Sequence, residues 1–308
     1  MKIITLTLAP CFDVHCYADS FLAGRENIVR TQSAELGGKG INVSRALYEN
    51  GIDSTAVVAL ARQGGAEVRE ALDASGLDYR TVNVGGRVRN NITVHTASGE
   101  ESRISFDDAA ENGDELLSDT WRALDELCER DCILAVAGSV PKGVDIDALC
   151  DILDALRERG VRLVIDSRSF TKARLARLRP WLIKPNEQEI RAYIGEEVNS
   201  TEDATSAARE LRTLGIDNVM VTLGARGAVL CCGEGEFFVP SPSVTVLSTI
   251  GAGDSTIAGF LAATSLGISG KRALEIAVCY GAAACMCEGT LPPKREDIEV
   301  LLKALDNA

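Results

Sequence analysis

Short apolar runs alternate with amphipathic stretches along most of the chain. Residues 2–8, 54–60, 132–137, 161–166, 181–183 and 218–223 are apolar and bounded by turn residues, so each reads as a buried strand. Between and around them, residues 41–50, 64–75, 114–129, 146–159, 187–195 and 202–214 carry apolar positions at helical spacing. Strands buried on both faces lose the period-two alternation of a half-exposed sheet. Continuous apolar runs separated by helices therefore predict a mainly parallel α/β sheet covered on both faces. Residues 227–232 and 236–240 flank Gly233 and Gly235 and predict a hairpin at the sheet edge.

Two stretches break this rhythm. Within 12–34 lie the β-prone pieces 14–17 and 27–32, and within 87–106 two alternating segments flank a turn at Ser98-Gly99. No helical pattern accompanies them. They predict a small β lid that projects from the main sheet, able to close a site or to pair with a second subunit.

Composition narrows the picture. A chain of 308 residues that is 46% hydrophobic buries a large core, as one large α/β domain or two unequal ones. No run of 18 apolar residues marks a membrane span, and the apolar start lacks the length and cleavage site of a signal peptide. A cytoplasmic location with no membrane partner is the expectation. The net charge of −13 argues against nucleic acid, because a phosphate backbone needs a basic face. The ten cysteines are scattered through apolar segments, with only His15 and His95 to help them, and read as reduced structural thiols rather than metal ligands or disulfides.

Chemistry concentrates in glycine-containing turns. Gly251-Ala252-Gly253-Asp254 precedes the helical run 257–262, which puts amide donors and the positive end of a helix dipole in the turn. Asp254 there is either a base for a substrate hydroxyl or simply the helix cap. Gly37-Gly38-Lys39-Gly40 opens the helix 41–50 as an oxyanion- or sugar-binding turn. In Lys184-Pro185-Asn186-Glu187-Gln188-Glu189, Asn186 and Glu189 sit at i and i+3. That spacing suits two oxygen ligands for Mg²⁺ and equally a capping box. Lys184 ends a strand, where a parallel sheet places a phosphate-binding cation. Gly138-Ser139-x-Pro141-Lys142-Gly143 and Thr222-x-Gly224-x-x-Gly227 also follow strands, so all these turns converge on one crevice.

Taken in order, with Asp13 in the first turn, these motifs resemble those of the ribokinase-like (PfkB) carbohydrate kinases across nearly the whole chain. The resemblance implies a three-layer sandwich with a small β-sheet lid, as a single kinase domain over 1–308 into which 12–34 and 87–106 are inserted. It also implies ATP and Mg²⁺ as cofactors, a small sugar or sugar phosphate as partner, and a homodimer through the lid. Gly40-Ile41-Asn42-Val43, Arg89-x-Asn91 and Ser248-Thr249-Ile250-Gly251 are similar to motifs of the branch that holds the 1-phosphofructokinases and tagatose-6-phosphate kinases.

Carried over by position, Asp254 is the catalytic base, and the turn Gly251, Ala252 and Gly253 supplies the anion hole. Asp13, Gly38, Asn42 and Asn91 hold the sugar, and Lys39, Arg89 and Lys142 bind its phosphate. Lys184, Asn186, Thr222, Gly224 and Gly227 face ATP, and Asn186 with Glu189 holds Mg²⁺ through water. Three departures fall on the sugar side: Ala9-Pro10-Cys11, Thr93 where the branch has a lysine, and the acidic pair Asp107-Asp108. Fructose 1-phosphate is the expected acceptor, giving fructose 1,6-bisphosphate. Tagatose 6-phosphate, fructose 6-phosphate, and an unphosphorylated sugar or nucleoside are the alternatives. A silent sugar- or nucleotide-binding regulator is the rival of another class. A dinucleotide-dependent oxidoreductase lacks its early glycine fingerprint here.

Overall fold

The apolar runs become strands whose successive residues face two different helical layers. The computed structural model describes residues 1–106 and 110–307. The chain opens with β1 (Ile3–Thr7), β2 (Cys11–Ala18) and β3 (Arg30–Gly37), then α1 (Lys39–Glu49), β4 (Thr55–Gln63), α2 (Gly65–Ser75) and β5 (Asp78–Arg87). Next come β6 (Arg89–Thr96) and β7 (Glu101–Ser105), followed by α3 (Gly113–Leu127), β8 (Ile133–Ala137), α4 (Ile146–Glu158) and β9 (Arg162–Asp166). α5 (Lys172–Leu178), β10 (Leu182–Ile183), α6 (Glu187–Ile194), α7 (Thr201–Arg212) and β11 (Asn218–Thr222) complete the alternation. The hairpin of β12 (Ala228–Cys232) and β13 (Gly235–Val239) precedes α8 (Ala252–Ser265), α9 (Gly270–Cys285) and α10 (Arg295–Asp306).

The main sheet has nine strands in the order β13-β12-β11-β10-β9-β8-β1-β4-β5. It is parallel from β11 to β5, and the expected hairpin adds two antiparallel strands at one edge. Ile4 and Leu6 of β1 pack with Leu116 of α3, Leu153 of α4 and Leu211 of α7 on one face. Their neighbours Ile3 of β1 and Ile133 of β8 pack on the other with Leu47 of α1 and Phe260 of α8. Truncating such a fully buried leucine to alanine costs about 2–5 kcal/mol. α8 is buried continuously from Asp254 to Ala263, as a helix in the middle of a layer must be. Among the described residues, no helix is long and apolar enough to cross a membrane.

The second sheet is the lid, four strands in the order β3-β2-β6-β7. Its register aligns Asp13 with Asn91 and Ser105, and His15 with Thr93 and Arg103. Between those rows lies Val14–Ile92–Ile104. Successive residues point to opposite faces of a strand. Asp13, Asn91 and Arg103 therefore share the face that lines the central cavity, and the aliphatic row occupies the other. The only two histidines of the chain stack in this lid, His15 Nδ1 3.0 Å from His95 Nε2, with Glu101 3.1 Å from His95 Nδ1.

Several elements go beyond the sequence pattern. β5 lies at the sheet edge with Asp78, Arg80 and Asn83 exposed, so its polar residues mask a strand that only Val82 and Val84 bury. α5 is a short helix capped by Thr171 that hides only Leu175 and Leu178, too few positions to show a period. The helices α9 and α10 fall in a C-terminal region where the pattern had marked none. β2 also pairs with β6 in parallel, which makes one sheet of the two lid segments. All ten cysteines are free thiols, eight of them buried.

Candidate active site

The site is built at the carboxyl end of the parallel strands, where an open α/β sheet gathers its loops. Ala9 follows β1, Gly138 and Ser139 follow β8, Asp166 closes β9, Lys184 follows β10, and Thr222 closes β11. With the first turns of α1 and α8 and the inner face of the lid, they enclose a cavity of about 1080 Å³.

Gly251 caps α8 in the left-handed region at φ 79°, a conformation glycine adopts without steric cost. It turns the chain so that the first residues of α8 line the cavity, with Ala252 N–H 3.4 Å from the Thr249 carbonyl and the amides of this first turn lacking intrahelical acceptors. Asp254 does not cap the helix: no side-chain cap bond forms, and its carboxylate, 7% exposed, accepts a hydrogen bond from Asn42 Nδ2 at 2.8 Å instead. Burial pushes the Asp254 carboxyl up to about 6. Asp166 adds to the rise, while Lys39, the Asn42 amide and Lys184 restrain it. A carboxyl in that range is ionised near neutrality and still basic enough to take a proton.

Asn42 is held in place by the close packing of α1 on β1. A side chain at Gly40 would bring its Cβ 2.4 Å from Thr7 Oγ1 and 3.0 Å from the Leu6 carbonyl, so only glycine permits that approach. Lys39, one residue earlier, extends to Asp166 Oδ2 at 2.9 Å. Although burial works against its ammonium, Asp166 and Asp254 raise the Lys39 pKa above the ordinary value. Lys184, 4% exposed, lies 3.5 Å from the other oxygen, Asp166 Oδ1. A Cβ placed on Gly253 would sit 3.2 Å from Lys184 Nζ, so this ammonium stands beside the α8 amides.

The lid supplies the opposite wall. Asp13 accepts hydrogen bonds from Asn91 Nδ2 and Arg103 Nη2, both at 3.0 Å. Arg89 donates to the Phe106 carbonyl at 3.1 Å and to Ser139 Oγ at 3.4 Å, which ties the lid to the loop after β8. Gly38 lines the same region.

Asn186 and Glu189 form the capping box of α6. Glu189 N–H donates to Asn186 Oδ1 at 2.9 Å, and Asn186 N–H donates to Glu189 Oε2 at 3.0 Å. Arg168 Nε holds the second carboxylate oxygen at 3.0 Å. Each oxygen keeps a further lone pair toward the cavity, and its side chain is 10% exposed. That donor set fits a hydrated Mg²⁺ held through its waters. Thr222 bridges to Asn186, which brings the loops after β10 and β11 together, and Gly224 and Gly227 line the cavity beside them. Val244, Val246, Ile250, Val278 and Ala282 add apolar side chains to the cavity lining.

The structure thus brings together every proposed site residue but one. Lys142 is exposed and does not line the cavity, because the turn after β8 carries it outward; its backbone carbonyl receives Ala110 N–H at 2.7 Å. Asp107 and Asp108 lie outside the described residues. Three contributors were not read from the sequence: Asp166, Arg168 and Arg103. Asp166 was legible as the carboxylate that ends the apolar run 161–166. Arg103 was legible through the hairpin register, which sets it directly across from Thr93.

A buried carboxylate beside helix amides, flanked by lysines at the crevice of a parallel sheet, is the machinery of a sugar kinase, a phosphotransferase with an alcohol acceptor. The chain belongs to the pfkB family of carbohydrate kinases, whose family model matches residues 5–297. It is 30% identical over 288 residues to the 1-phosphofructokinase of Haemophilus influenzae, covering 92% of this chain and 90% of that protein. It is 31% identical over 305 residues to the ATP-dependent 6-phosphofructokinase isozyme 2 of Escherichia coli, 97% of each chain. The crystal structure of phosphofructokinase-2 from Escherichia coli in complex with substrates and products superposes with a TM-score of 0.91 at 28% identity, over 99% of this chain and 100% of that one.

Proposed function

We propose that this chain is an ATP- and Mg²⁺-dependent kinase that phosphorylates the free primary hydroxyl of fructose 1-phosphate, forming fructose 1,6-bisphosphate. The observation that carries the reading is the placement of Asp254 between two sets of cations. Arg89 and Arg103 stand on the lid wall, and Lys184 stands beside the α8 amides. The Haemophilus influenzae relative and other 1-phosphofructokinases of similar identity support the choice of acceptor. On this reading residues 1–308 form one kinase domain with the lid inserted.

In the reaction the acceptor hydroxyl oxygen attacks the γ-phosphorus of ATP and the bond to the β-phosphate bridging oxygen breaks, its electrons leaving with ADP. Asp254 takes the hydroxyl proton, and Asn42 fixes the orientation of its carboxylate. The amides of Ala252 and Gly253, with Lys184, stabilise charge on the transferring group. Asp13 and Asn91 hold sugar hydroxyls, and Arg89, Arg103 and Lys39 take the acceptor's own phosphate. Arginine suits that phosphate because its fork of donors matches two oxygens at once. Glu189 and Asn186 would hold Mg²⁺ through water, where the ion neutralises phosphate charge.

A second reading, fructose 6-phosphate as acceptor, is supported by the similarity to the 6-phosphofructokinase isozyme 2 of Escherichia coli, and the lid has a rearranged cation. The lid cation expected on β6 comes instead from β7, directly across the hairpin. Both acceptors lead to the same bisphosphate. We also propose a homodimer joined through the outer lid face, where Ile104 is 42% exposed in the row Val14–Ile92–Ile104. The test is ADP release from ATP and Mg²⁺ with fructose 1-phosphate, fructose 6-phosphate, tagatose 6-phosphate, free ketohexoses, ribose and adenosine. The expected result is a kcat/KM for fructose 1-phosphate above all others. A preference for fructose 6-phosphate establishes the second reading, and turnover only on unphosphorylated acceptors, or none at all, overturns both.

A further inference from the structure

Asp166 is 3% exposed, carries the last side chain of β9, and takes no part in the chemistry described above. Its two oxygens engage two different lysines, Oδ2 with Lys39 at 2.9 Å and Oδ1 with Lys184 at 3.5 Å. These lysines come from different elements of the fold. Lys39 opens α1 beside the acceptor wall, and Lys184 follows β10 beside the α8 amides. Two ammonium groups brought this close repel one another and have long, flexible stems. A carboxylate between them removes the repulsion and fixes both heads at once.

We propose that Asp166 is a positioning residue that tethers Lys39 and Lys184 to opposite oxygens of one carboxylate, aligning the acceptor-side and donor-side cations along a single line of phosphoryl transfer. The inference rests on the kinase reading and adds to it a coupling between the two half-sites. Burial alone would neutralise Asp166, yet Lys184 and Lys39 hold its carboxyl below the ordinary range, so it stays an anion. The same anion faces Asp254 together with Lys39, Lys184 and the Asn42 amide, and it adds to the raised pKa of the base. Because both lysines answer to one carboxylate, displacing either disturbs the other.

The experiment is a double-mutant cycle on the full-length enzyme with saturating ATP and Mg²⁺ and the preferred acceptor. D166N keeps the shape and removes the charge. It lowers kcat about 100-fold, the scale of a misplaced reacting group. Its cost in a K39A background shrinks at least about threefold, because part of its action passes through Lys39. D166E restores the charge at a longer reach and recovers at least about fivefold over D166N. Should D166N melt below the assay temperature, D166E in the parent and K39A backgrounds carries the same cycle. An inactive parent enzyme overturns the kinase reading itself. An active parent whose D166N variant keeps more than about a third of kcat, or whose D166N and K39A costs simply multiply, overturns the tether alone.

Discussion

Asn42 Nδ2 lies 2.8 Å from Asp254 Oδ2, joining the first turn of α1 to the first turn of α8 across 212 residues of chain. The contact gives the carboxylate one oxygen held by an amide and one turned to the cavity. The acid–base behaviour of the enzyme follows from it.

With a carboxyl near 6, kcat/KM for the acceptor falls below about pH 6 by about tenfold per pH unit, as Asp254 takes up a proton. D254N lowers kcat about 1000-fold and abolishes that acid limb. A pH–rate profile of both proteins checks this, and an unshifted limb in D254N assigns the base elsewhere.

The same burial has a cost in stability. The carboxyl rises from 3.8 to about 6 on folding, so the folded chain binds this proton more tightly than the unfolded chain. Stability is therefore unaffected below pH 3.8, is lost as the pH rises through the window to about 6, and stays reduced above it. D254N escapes the penalty. Its gain over the parent grows from about half a kcal/mol at pH 4 to on the order of 3 kcal/mol at pH 7. Thermal melts of the unliganded proteins at both pH values should show the Asn variant several degrees higher at pH 7 only.

Arg103 anchors on Asp13, and Arg89 anchors on Ser139. R103A and R89A each raise KM for the phosphorylated acceptor about 10- to 100-fold while KM for ATP moves less than about twofold. Initial-rate kinetics with each substrate varied separately decide it. Equal rises for both substrates would indicate damage to the site as a whole.

The capping role of Asn186 and its proposed part in holding Mg²⁺ are separable. N186S keeps a side-chain oxygen for the cap but withdraws it from the cavity, and capping residues of this kind differ by a few tenths of a kcal/mol. We expect its melting point to stay within about 2 °C of the parent while the Mg²⁺ concentration for half-maximal rate rises about fivefold. A Mg²⁺ dependence identical to the parent would make Asn186 a cap and nothing more.

How much of this was legible without the structure depended on where each signal lay. Buried parallel strands such as 132–137 announce themselves because both faces demand apolar residues. β5 does not, since its outer face is water and its exposed Arg80 and Asn83 dilute the signal. For the site, turns at strand ends located Lys184 and Thr222, and the glycine turn at a helix start located Asp254. Asn186 and Glu189 were read as cap or ligand, and the cap is present, because one geometry serves both. Lys142 was misplaced because a sequence does not tell which way a loop side chain leaves a turn. Asp166 ends an apolar run and Arg103 follows from the hairpin register, but that both reach the site depends on distances across the fold, which local pattern does not carry.

Three of the four junctions between the lid and the core are only one to three residues long. Residues 8–10 separate β1 from β2, Gly38 separates β3 from α1, and Val88 separates β5 from β6. On the proposed reading, the wall that reads the acceptor is thus a cassette spliced into a nucleotide-handling frame. Drift or deliberate exchange within that cassette can retune which sugar is accepted while the frame, with its aspartate and its lysines, passes unchanged from one specificity to the next.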